Sequence, residues 1–413
     1  MTDIQFNSWF FLIVIAFVVI WKIDFFTTLL NLKSFKSQIP SDFVDVMDQE
    51  KFEESKDYTR LKSVYGIGIS AFMTVVFFSF WWLGGFGWLD GVVRGFGYGP
   101  LLSGVIYIGI LFLALQIISL PFSWYSTFGI ESKFGFNKMS PGLFFGDFIR
   151  SLFLSALVGG PLLLTILWLF EKFPAAWLWG WVIVSVFMLA AVFLAPTLVM
   201  PLFNKFTPLE EGPLKSEIFA MAEKCEFPVK EISIMDGSKR STKSNAFFTG
   251  FGATKRIVLF DTLVEKHSVA ELVGVLAHEI GHYKKGHIVK GIVIAIVSTG
   301  VMFFLLNVVM ANRSLFDAFG VRETSVYVSL ILFGILMQPV NQILGIAGSW
   351  LSRKHEFEAD AYAAEVTGQP EVMASALRKL SADNLTNLTP HPAYVFLNYS
   401  HPPVVERIAA LRD

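Results

Sequence analysis

Two histidines four residues apart, with a glutamate directly after the first, give the clearest chemical signal in this sequence. They occur in GVLAHEIGHYKKGHIVKGIVIAIVSTG as His278-Glu279-Ile280-Gly281-His282. Residues four apart share a helix face, so two neutral imidazoles can bind one Zn²⁺ while Glu279 acts as general base on a metal-bound water. The pattern predicts one zinc ion per chain. A pair of solvated surface histidines is the alternative interpretation.

The residues before this motif are typical of a helix. Ser268 and Glu271 match the S-x-x-E capping box, and VAELVGVLAHEIGH contains no proline. An apolar run follows the motif with no evident turn between them. The sequence therefore predicts that the metal helix extends directly into a membrane span.

The third metal ligand decides the class of the site. The extended motif H-E-x-x-H-x-x-G-x-x-H is excluded, because Lys285 and Ile288 occupy the positions of its glycine and its last histidine. His287 follows His278 by nine residues, on the opposite side of a continuous helix, and is interpreted as a surface or interface residue. A downstream carboxylate remains, as in His₂Glu catalytic zinc sites.

An acidic stretch, SRKHEFEADAYAAEVTG, follows the last apolar run. Glu356 and Asp360 share a helix face, and Ala359 and Ala363 beside them are small enough for close approach to the metal helix. Glu356 is the predicted third ligand, and Asp360 is predicted to fix the tautomer of a ligand histidine. Glu358 is turned by about 200° and should face solvent or another helix. An exposed acidic helix start is the alternative.

The elements that carry these residues are unusually apolar. Hydrophobic residues make up 54% and charged residues 16% of the 413 residues, against about 45–50% and about 25% in soluble proteins. An all-α polytopic membrane protein is expected. A span needs about 20 apolar residues, and seven stretches qualify, at roughly 8–30, 64–86, 99–120, 150–170, 175–198, 288–311 and 325–350.

The net charge and the cysteine content argue against a nucleic-acid-binding protein and a disulfide- or cysteine-based site. A net charge of −1 gives no indication of nucleic-acid binding. Cys225 is the only cysteine, which excludes an intrachain disulfide and any multi-cysteine metal site.

Basic residues are distributed unequally between the loops. With the N-terminus outside, the outer loops 84–98, 171–174 and 312–324 hold only Arg94, Lys172, Arg313 and Arg322. Residues 31–63 alone hold six lysines and arginines. The positive-inside rule then places the loop 199–287 and the C-terminal tail in the cytoplasm. One re-entrant apolar run in place of a full span is the alternative.

These elements divide the chain into four parts. Residues 1–200 contain five spans, 201–287 form a cytoplasmic metallopeptidase loop, 288–350 contain the last two spans, and 351–413 form a cytoplasmic tail with the third ligand. In the second part, SNAFFTGFGATKRIVLFD predicts a β-hairpin. Its edge can hold an extended peptide by strand addition, and an ordinary structural hairpin is the alternative.

Taken together, these motifs resemble the integral-membrane CAAX prenyl protease family of zinc metalloproteases. Three further stretches fit this family, namely LPFSWYSTFGIESKFGFNKMSP, SNAFFTGFGATKRIVLFDTL and YSHPPVVERIAAL. The resemblance covers nearly the whole chain. It implies seven transmembrane helices around a water-filled chamber, with a gluzincin-like α+β metallopeptidase portion on the cytoplasmic side.

The resemblance also implies roles for individual residues of the metal site. His278, His282 and Glu356 match the zinc ligands, Glu279 matches the catalytic base, and Asp360 matches the aspartate that supports a ligand.

Three more residues match groups that contact the substrate. Asn245 matches a substrate-binding asparagine. His401 and Arg407 match active-site residues that would stabilise the oxyanion of the tetrahedral intermediate. From the residues alone, His401-Pro402-Pro403 equally marks the start of the last helix.

The leading prediction is a membrane zinc metalloendopeptidase that cleaves near the C-terminus of CAAX-type prenylated or membrane-associated proteins. A protease that degrades misfolded membrane proteins is the alternative within the same class. An intramembrane-cleaving protease would need a carboxylate in a late span, and residues 325–350 contain no Asp or Glu. A zinc carrier or scaffold would have no use for Glu279.

The expected partners are a peptide or lipidated peptide and the lipid bilayer, with no nucleic acid, and the chain is expected to be a monomer. The chain is shorter than the eukaryotic members of the family and has no dilysine ending. These two features favour a bacterial inner membrane over the endoplasmic reticulum.

Overall fold

The computed structural model describes residues 4–249 and 255–412. The helices of the first half are α1 (Ser8–Lys33), α2 (Gln49–Trp82), α3 (Gly85–Gly95), α4 (Pro100–Tyr125), α5 (Pro141–Leu154), α6 (Gly160–Lys172) and α7 (Ala176–Leu194). Those of the second half are α8 (Pro213–Lys224), α9 (Asp261–Lys266), α10 (Val269–Lys284), α11 (His287–Val309), α12 (Arg313–Ala318), α13 (Val326–Thr367), α14 (Pro370–Asp383), α15 (Pro392–Asn398) and α16 (Val404–Arg412). The strands are β1 (Phe206–Pro208), β2 (Val229–Met235), β3 (Ala246–Thr249) and β4 (Lys255–Phe260).

Seven helical segments among the described residues are long and apolar enough to cross a membrane, and the predicted number of spans is confirmed. They are α1, α2, Pro100–Glu131, Pro141–Lys172, Ala176–Leu202, α11 and α13. Only 0–17% of the residues in their most apolar windows are buried. Helices in a solid bundle bury one side at least, so most of the surface of these helices faces lipid or open space.

The spanning helices α2 and α13 extend well beyond the predicted spans. α2 begins at Gln49, where the side chain of Asp48 caps it by accepting a hydrogen bond from the amide of Lys51. α13 runs without a break to Thr367. The predicted boundary at 350/351 therefore lies inside a helix, and the acidic motif is carried on the extension of the last span.

The prediction that the metal helix continues into the next span without a turn is wrong. α10 ends at Lys284, and α11 begins at His287 after Gly286, whose φ is 69°. Glycine adopts this left-handed conformation without the steric cost that a side chain would add. The turn redirects the chain, so His287 does not lie on the far side of a continuous helix from His278.

A small mixed sheet forms the α+β portion of the molecule. Its order is β1-β2-β4-β3, with β2 and β4 parallel and the outer pairs antiparallel. The predicted hairpin consists of β3 and β4, whose turn lies outside the described residues. Apolar side chains such as Ile218, Leu259 and Leu276 form a buried core between the sheet and helices α8 and α10.

At one end of the spanning helices, the N-terminal residues contact segments that are distant in the sequence. Trp81 Nε1 donates to the carbonyl of Ala318 at 2.8 Å, and the amide of Gln5 donates to Asp317 at 2.9 Å. A Cβ atom on Gly87 would lie 2.1 Å from the carbonyl oxygen of Gly320, so the backbone of α3 contacts the residues that follow α12. The N-terminal residues and two of the predicted outer loops therefore meet at the end opposite the sheet.

This arrangement predicts labelling from opposite sides of the membrane. In a Cys225→Ser background, single cysteines at the exposed positions Glu210 and Ser314 should react with an impermeant thiol reagent from opposite faces, because a hydrocarbon core of about 30 Å separates them. The measurement is thiol labelling of sealed vesicles before and after permeabilisation. Reaction of both positions from the same face would contradict the seven-span topology.

Candidate metal centre

The first turn of α10 is fixed by the buried carboxylate of Glu271. Ser268 and Glu271 form the predicted capping box, in which the Ser268 amide donates to Glu271 Oε2 at 2.9 Å. Ser375 Oγ donates to Glu271 Oε1 at 2.7 Å, and Lys379 Nζ lies 2.7 Å from the same oxygen. Burial opposes ionisation, but these donors keep the pKa of Glu271 at about 2. The metal helix is thereby tied to α14.

Small residues let α10 and α13 pack at very short range. A Cβ atom on Gly281 would lie 3.1 Å from both the Cα and the carbonyl oxygen of Ala359, and 3.1 Å from the ring of Tyr362. Ala359 and Ala363 are fully buried in this interface. The two helices are therefore in near backbone contact beside the histidine motif, as the small residues of the acidic stretch predicted.

This contact brings His278, His282 and Glu356 together. The two Nε2 atoms are 3.1 Å apart, Glu356 Oε1 is 3.2 Å from His282 Nε2, and Glu356 Oε2 is 3.6 Å from His278 Nε2. Ligands of a tetrahedral zinc ion, at about 2.0–2.1 Å from it, are about 3.3 Å from one another. Among the described residues, these three form a group that could hold a metal ion, and their spacing fits zinc.

The protons of the two imidazoles support the same conclusion. His278 Nδ1 lies 2.8 Å from Asp360 Oδ1, and His282 Nδ1 lies 2.9 Å from His287 Nδ1. Because an ionised carboxylate only accepts, the proton of a neutral His278 lies on Nδ1, and its Nε2 lone pair faces His282 and the Glu356 carboxylate. This lone pair and the carboxylate repel each other unless a proton or a cation lies between them.

Arg407 is buried against the two carboxylates of α13. Its Nε and Nη2 donate to Asp360 at 2.7 Å each, and its Nη1 lies 3.1 Å from Glu356 Oε2. A bidentate pair of this kind fixes a carboxylate in orientation as well as in charge. Arg407 therefore holds both the third ligand and the aspartate beside His278 in place.

Glu279 lies between the two histidines on α10 and remains partly accessible. Burial raises the pKa of Glu279 above its ordinary value, while His278 and His282 act in the opposite direction. A carboxylate with a raised pKa accepts and returns a proton more readily near neutral pH.

The two remaining predicted residues, His401 and Asn245, are both exposed. His401 is 64% exposed at its side chain, and its Nε2 lies 3.6 Å from Glu356 Oε1. Asn245 is exposed directly before β3, where its backbone carbonyl accepts from the Phe260 amide and its side chain accepts from the Ala246 amide. The structure thus places His401 against the third ligand and Asn245 at the start of the edge strand.

The segment that presents Asn245 is fastened to two spanning helices. Lys243 Nζ donates to Tyr58 OH at 2.6 Å and to Glu131 Oε2 at 2.8 Å, and it lies 4.3 Å from the ring centroid of Phe136. The sequence analysis missed this function of Lys243. The only feature of the sequence that pointed to it was the stretch LPFSWYSTFGIESKFGFNKMSP. This stretch contains Glu131 and Phe136, and the sequence analysis gave neither residue a role.

His287 and Glu358 were also missed as neighbours of the metal group. His287 is buried at the interface between α11 and α13, where its Nε2 lies 2.9 Å from Glu358 Oε2. Gly286 was the available signal, since a turn there returns the chain toward His282. Glu358 faces another helix, which was one of the two expected outcomes.

Comparison with known proteins shows similarity over the whole chain. A family model described as CAAX prenyl protease N-terminal, five membrane helices, matches residues 28–205, and one described as peptidase family M48 matches residues 208–413. CAAX prenyl protease 1 of Saccharomyces cerevisiae is 36% identical and covers 91% of this chain and 89% of that relative. The CAAX prenyl protease 1 homolog of Arabidopsis thaliana is 34% identical, with 96% of each covered.

A solved structure shows the same similarity in three dimensions. The crystal structure of S. mikatae Ste24p matches with a TM-score of 0.92 and 34% sequence identity. The match covers 98% of this chain and 99% of that chain. The arrangement of helices and sheet described above is therefore shared with a solved membrane protein.

The helix contact at Gly281 leads to a prediction with a matched control. Gly281→Ala should lower zinc affinity several-fold and destabilise the protein by about 1–3 kcal/mol, because its Cβ forces α10 and α13 apart. Gly274→Ala, on the same helix, meets its nearest atom at 3.7 Å and should keep full affinity with unchanged or higher stability. Chelator competition and thermal unfolding measure both. Equal zinc affinity for the two variants would contradict the role of this contact.

Proposed function

This chain belongs to the CAAX prenyl protease 1 family of M48 metallopeptidases, and we propose from that premise that it is a zinc endopeptidase. Its proposed substrates are CAAX-type prenylated or membrane-associated proteins, cleaved near the C-terminus. The observation that carries the proposal is the convergence of two imidazole Nε2 atoms and one carboxylate within 3.1–3.6 Å.

Zinc is the metal that this ligand set fits best. Two neutral imidazoles and one carboxylate are the donors of His₂Glu catalytic sites, which leave one position open for water or substrate. A zinc ion held by His278, His282 and Glu356 would lower the pKa of a water molecule and polarise the scissile carbonyl. The other steps belong to the side chains around it.

Glu279 is proposed as the general base and then the general acid. Its carboxylate takes a proton from the attacking water and returns that proton to the leaving amine. The raised pKa that burial gives Glu279 suits both transfers.

His401 and Arg407 are proposed to stabilise the oxyanion. His401 is exposed next to Glu356 and can turn its Nε2 toward a substrate carbonyl. Arg407 uses three of its five N–H groups on Asp360 and Glu356. It therefore contributes positive charge and holds the ligand carboxylate, while His401 is the more accessible hydrogen-bond donor.

The substrate peptide is proposed to extend along β3. β3 is an edge strand, paired on one side with β4, so its other side can pair with an extended peptide. Asn245 is exposed at the start of this strand and can hold a backbone amide of the peptide. The ion pair of Lys243 with Glu131 fixes this strand relative to the membrane helices.

The position of the metal group explains why the protease is built into a membrane. Its ligands come from α10, which precedes a span, and from the extension of α13, which completes one. A peptide with a lipid anchor can then keep its anchor in an apolar region while its peptide bond reaches water. Polar groups near the membrane are tolerated where they are buried in protein or face water.

The chain is a multi-pass integral membrane protein, and its orientation and location are proposals. The active site is proposed to face the cytoplasm and the chain to act as a monomer. The division into four parts is also a proposal, and its last boundary lies on the continuous helix α13. A bacterial inner membrane remains the proposed location. Chain length does not support that choice, since the chain covers 96% of its Arabidopsis relative.

The proposed base is tested by Glu279→Gln. This variant should retain about one zinc per chain but hydrolyse a farnesylated CAAX peptide slower by several orders of magnitude, because the amide cannot accept the proton. Glu365→Gln makes the same chemical change at an exposed position of α13 and should be unaffected. Metal content and peptidase rate are measured on both. Near-normal turnover by the zinc-loaded Glu279→Gln variant would contradict the proposal.

A further inference from the structure

We propose that His287 and Glu358 are positioning residues that hold the metal ligand His282 through a chain of two hydrogen bonds. The inference rests on the proposed zinc site and extends it. The supporting chain is defined as His282, His287 and Glu358, which lie on α10, α11 and α13.

The geometry of the supporting chain is close at both links. His282 Nδ1 lies 2.9 Å from His287 Nδ1, and His287 Nε2 lies 2.9 Å from Glu358 Oε2. The two imidazole rings are inclined by 72° with their centroids 5.1 Å apart, so they do not stack and are in contact through their edges. Both distances are those of ordinary hydrogen bonds.

The protons of the supporting chain can be assigned in only one consistent way. A metal on His282 Nε2 requires a lone pair there, so the proton of His282 is on Nδ1 and is donated to His287 Nδ1. His287 then carries its own proton on Nε2 and donates it to the Glu358 carboxylate. Each donor has one acceptor, and both histidines are neutral.

The surroundings of His287 hold it in this orientation. Its ring stacks on the ring of His355, with centroids 3.8 Å apart and planes inclined by 10°. The left-handed turn at Gly286 brings the first residue of α11 back toward α10. Lys354 lies 3.8 Å from the second oxygen of Glu358, which helps to keep this carboxylate charged.

The two ligand histidines are thus supported differently. His278 has a carboxylate at its Nδ1 directly, from Asp360. His282 reaches a carboxylate only through His287. Groups of this kind fix the tautomer of a ligand histidine and typically contribute 10–100-fold to metal affinity or activity. The hydrogen bonds of His287 also join α11 to the metal group, so a membrane span is directly connected to the site.

This proposal gives Glu358 a role in zinc binding, whereas the sequence predicted only that it faces solvent or another helix. His287→Ala should weaken zinc binding by about 10–100-fold and Glu358→Ala by about tenfold. His287→Gln should retain much of the affinity, because its amide offers one acceptor and one donor along the same path. The double variant should be no weaker than His287→Ala alone, since both changes break one chain.

The measurements are zinc affinity by chelator competition and the visible spectrum of the Co²⁺-substituted protein, which reports ligand geometry without turnover. Glu365→Gln is the control on α13. If His287→Ala does not fold, Glu358→Ala tests the same chain at a partly exposed position, with thermal unfolding to establish that the fold is kept.

The outcomes separate this proposal from the zinc site on which it rests. Loss of zinc in His278→Ala together with wild-type affinity and an unchanged Co²⁺ spectrum in His287→Ala would overturn the supporting chain alone. Additive losses in the double variant would also overturn it. A wild-type protein that binds no zinc would overturn both.

Discussion

The near contact of α10 with α13 is the constraint on which the rest of the site depends. Gly281 lies where any Cβ would press on the backbone of Ala359. Only at this separation can the histidines of one helix and Glu356 of the other face one point at 3.1–3.6 Å. The surrounding ion pairs stabilise this contact, because Glu271 fixes the start of α10 and Arg407 fixes the carboxylates of α13.

Each helix of this pair is also joined to the membrane wall. α13 is itself a spanning helix, and α10 is separated from the span α11 by Lys285 and the left-handed Gly286. The metal group therefore lies at the boundary between apolar and water-filled regions. The spans bury only 0–17% of the residues in their most apolar windows, so they do not pack into a solid bundle. A lipid-anchored peptide needs an apolar region for its lipid and water at the peptide bond that is cleaved.

Most of this arrangement is predictable from local sequence patterns. Apolar length determines the number of spans, and helical periodicity places His278 and His282 on one face and Glu356 beside Asp360. The features that were not predicted depend on one residue or on distant contacts. Gly286 ends a helix that composition alone would continue.

Tertiary contacts account for the remaining differences. The function of Lys243 follows from its contact with Glu131, more than a hundred residues earlier, and that of Arg407 from its contact with Asp360. Neither pairing has a spacing that a sequence pattern can detect. The roles of Asn245 and His401 likewise rest on family resemblance and on position in the fold.

X-ray absorption spectroscopy of the zinc-loaded protein tests the central claim most directly, because it reports the ligands of the metal itself. The account predicts two imidazoles and light oxygen donors at about 2.0–2.1 Å, and the loss of one oxygen donor or of the metal in Glu356→Ala. A zinc environment with three or more imidazoles, or one unchanged in Glu356→Ala, would contradict it.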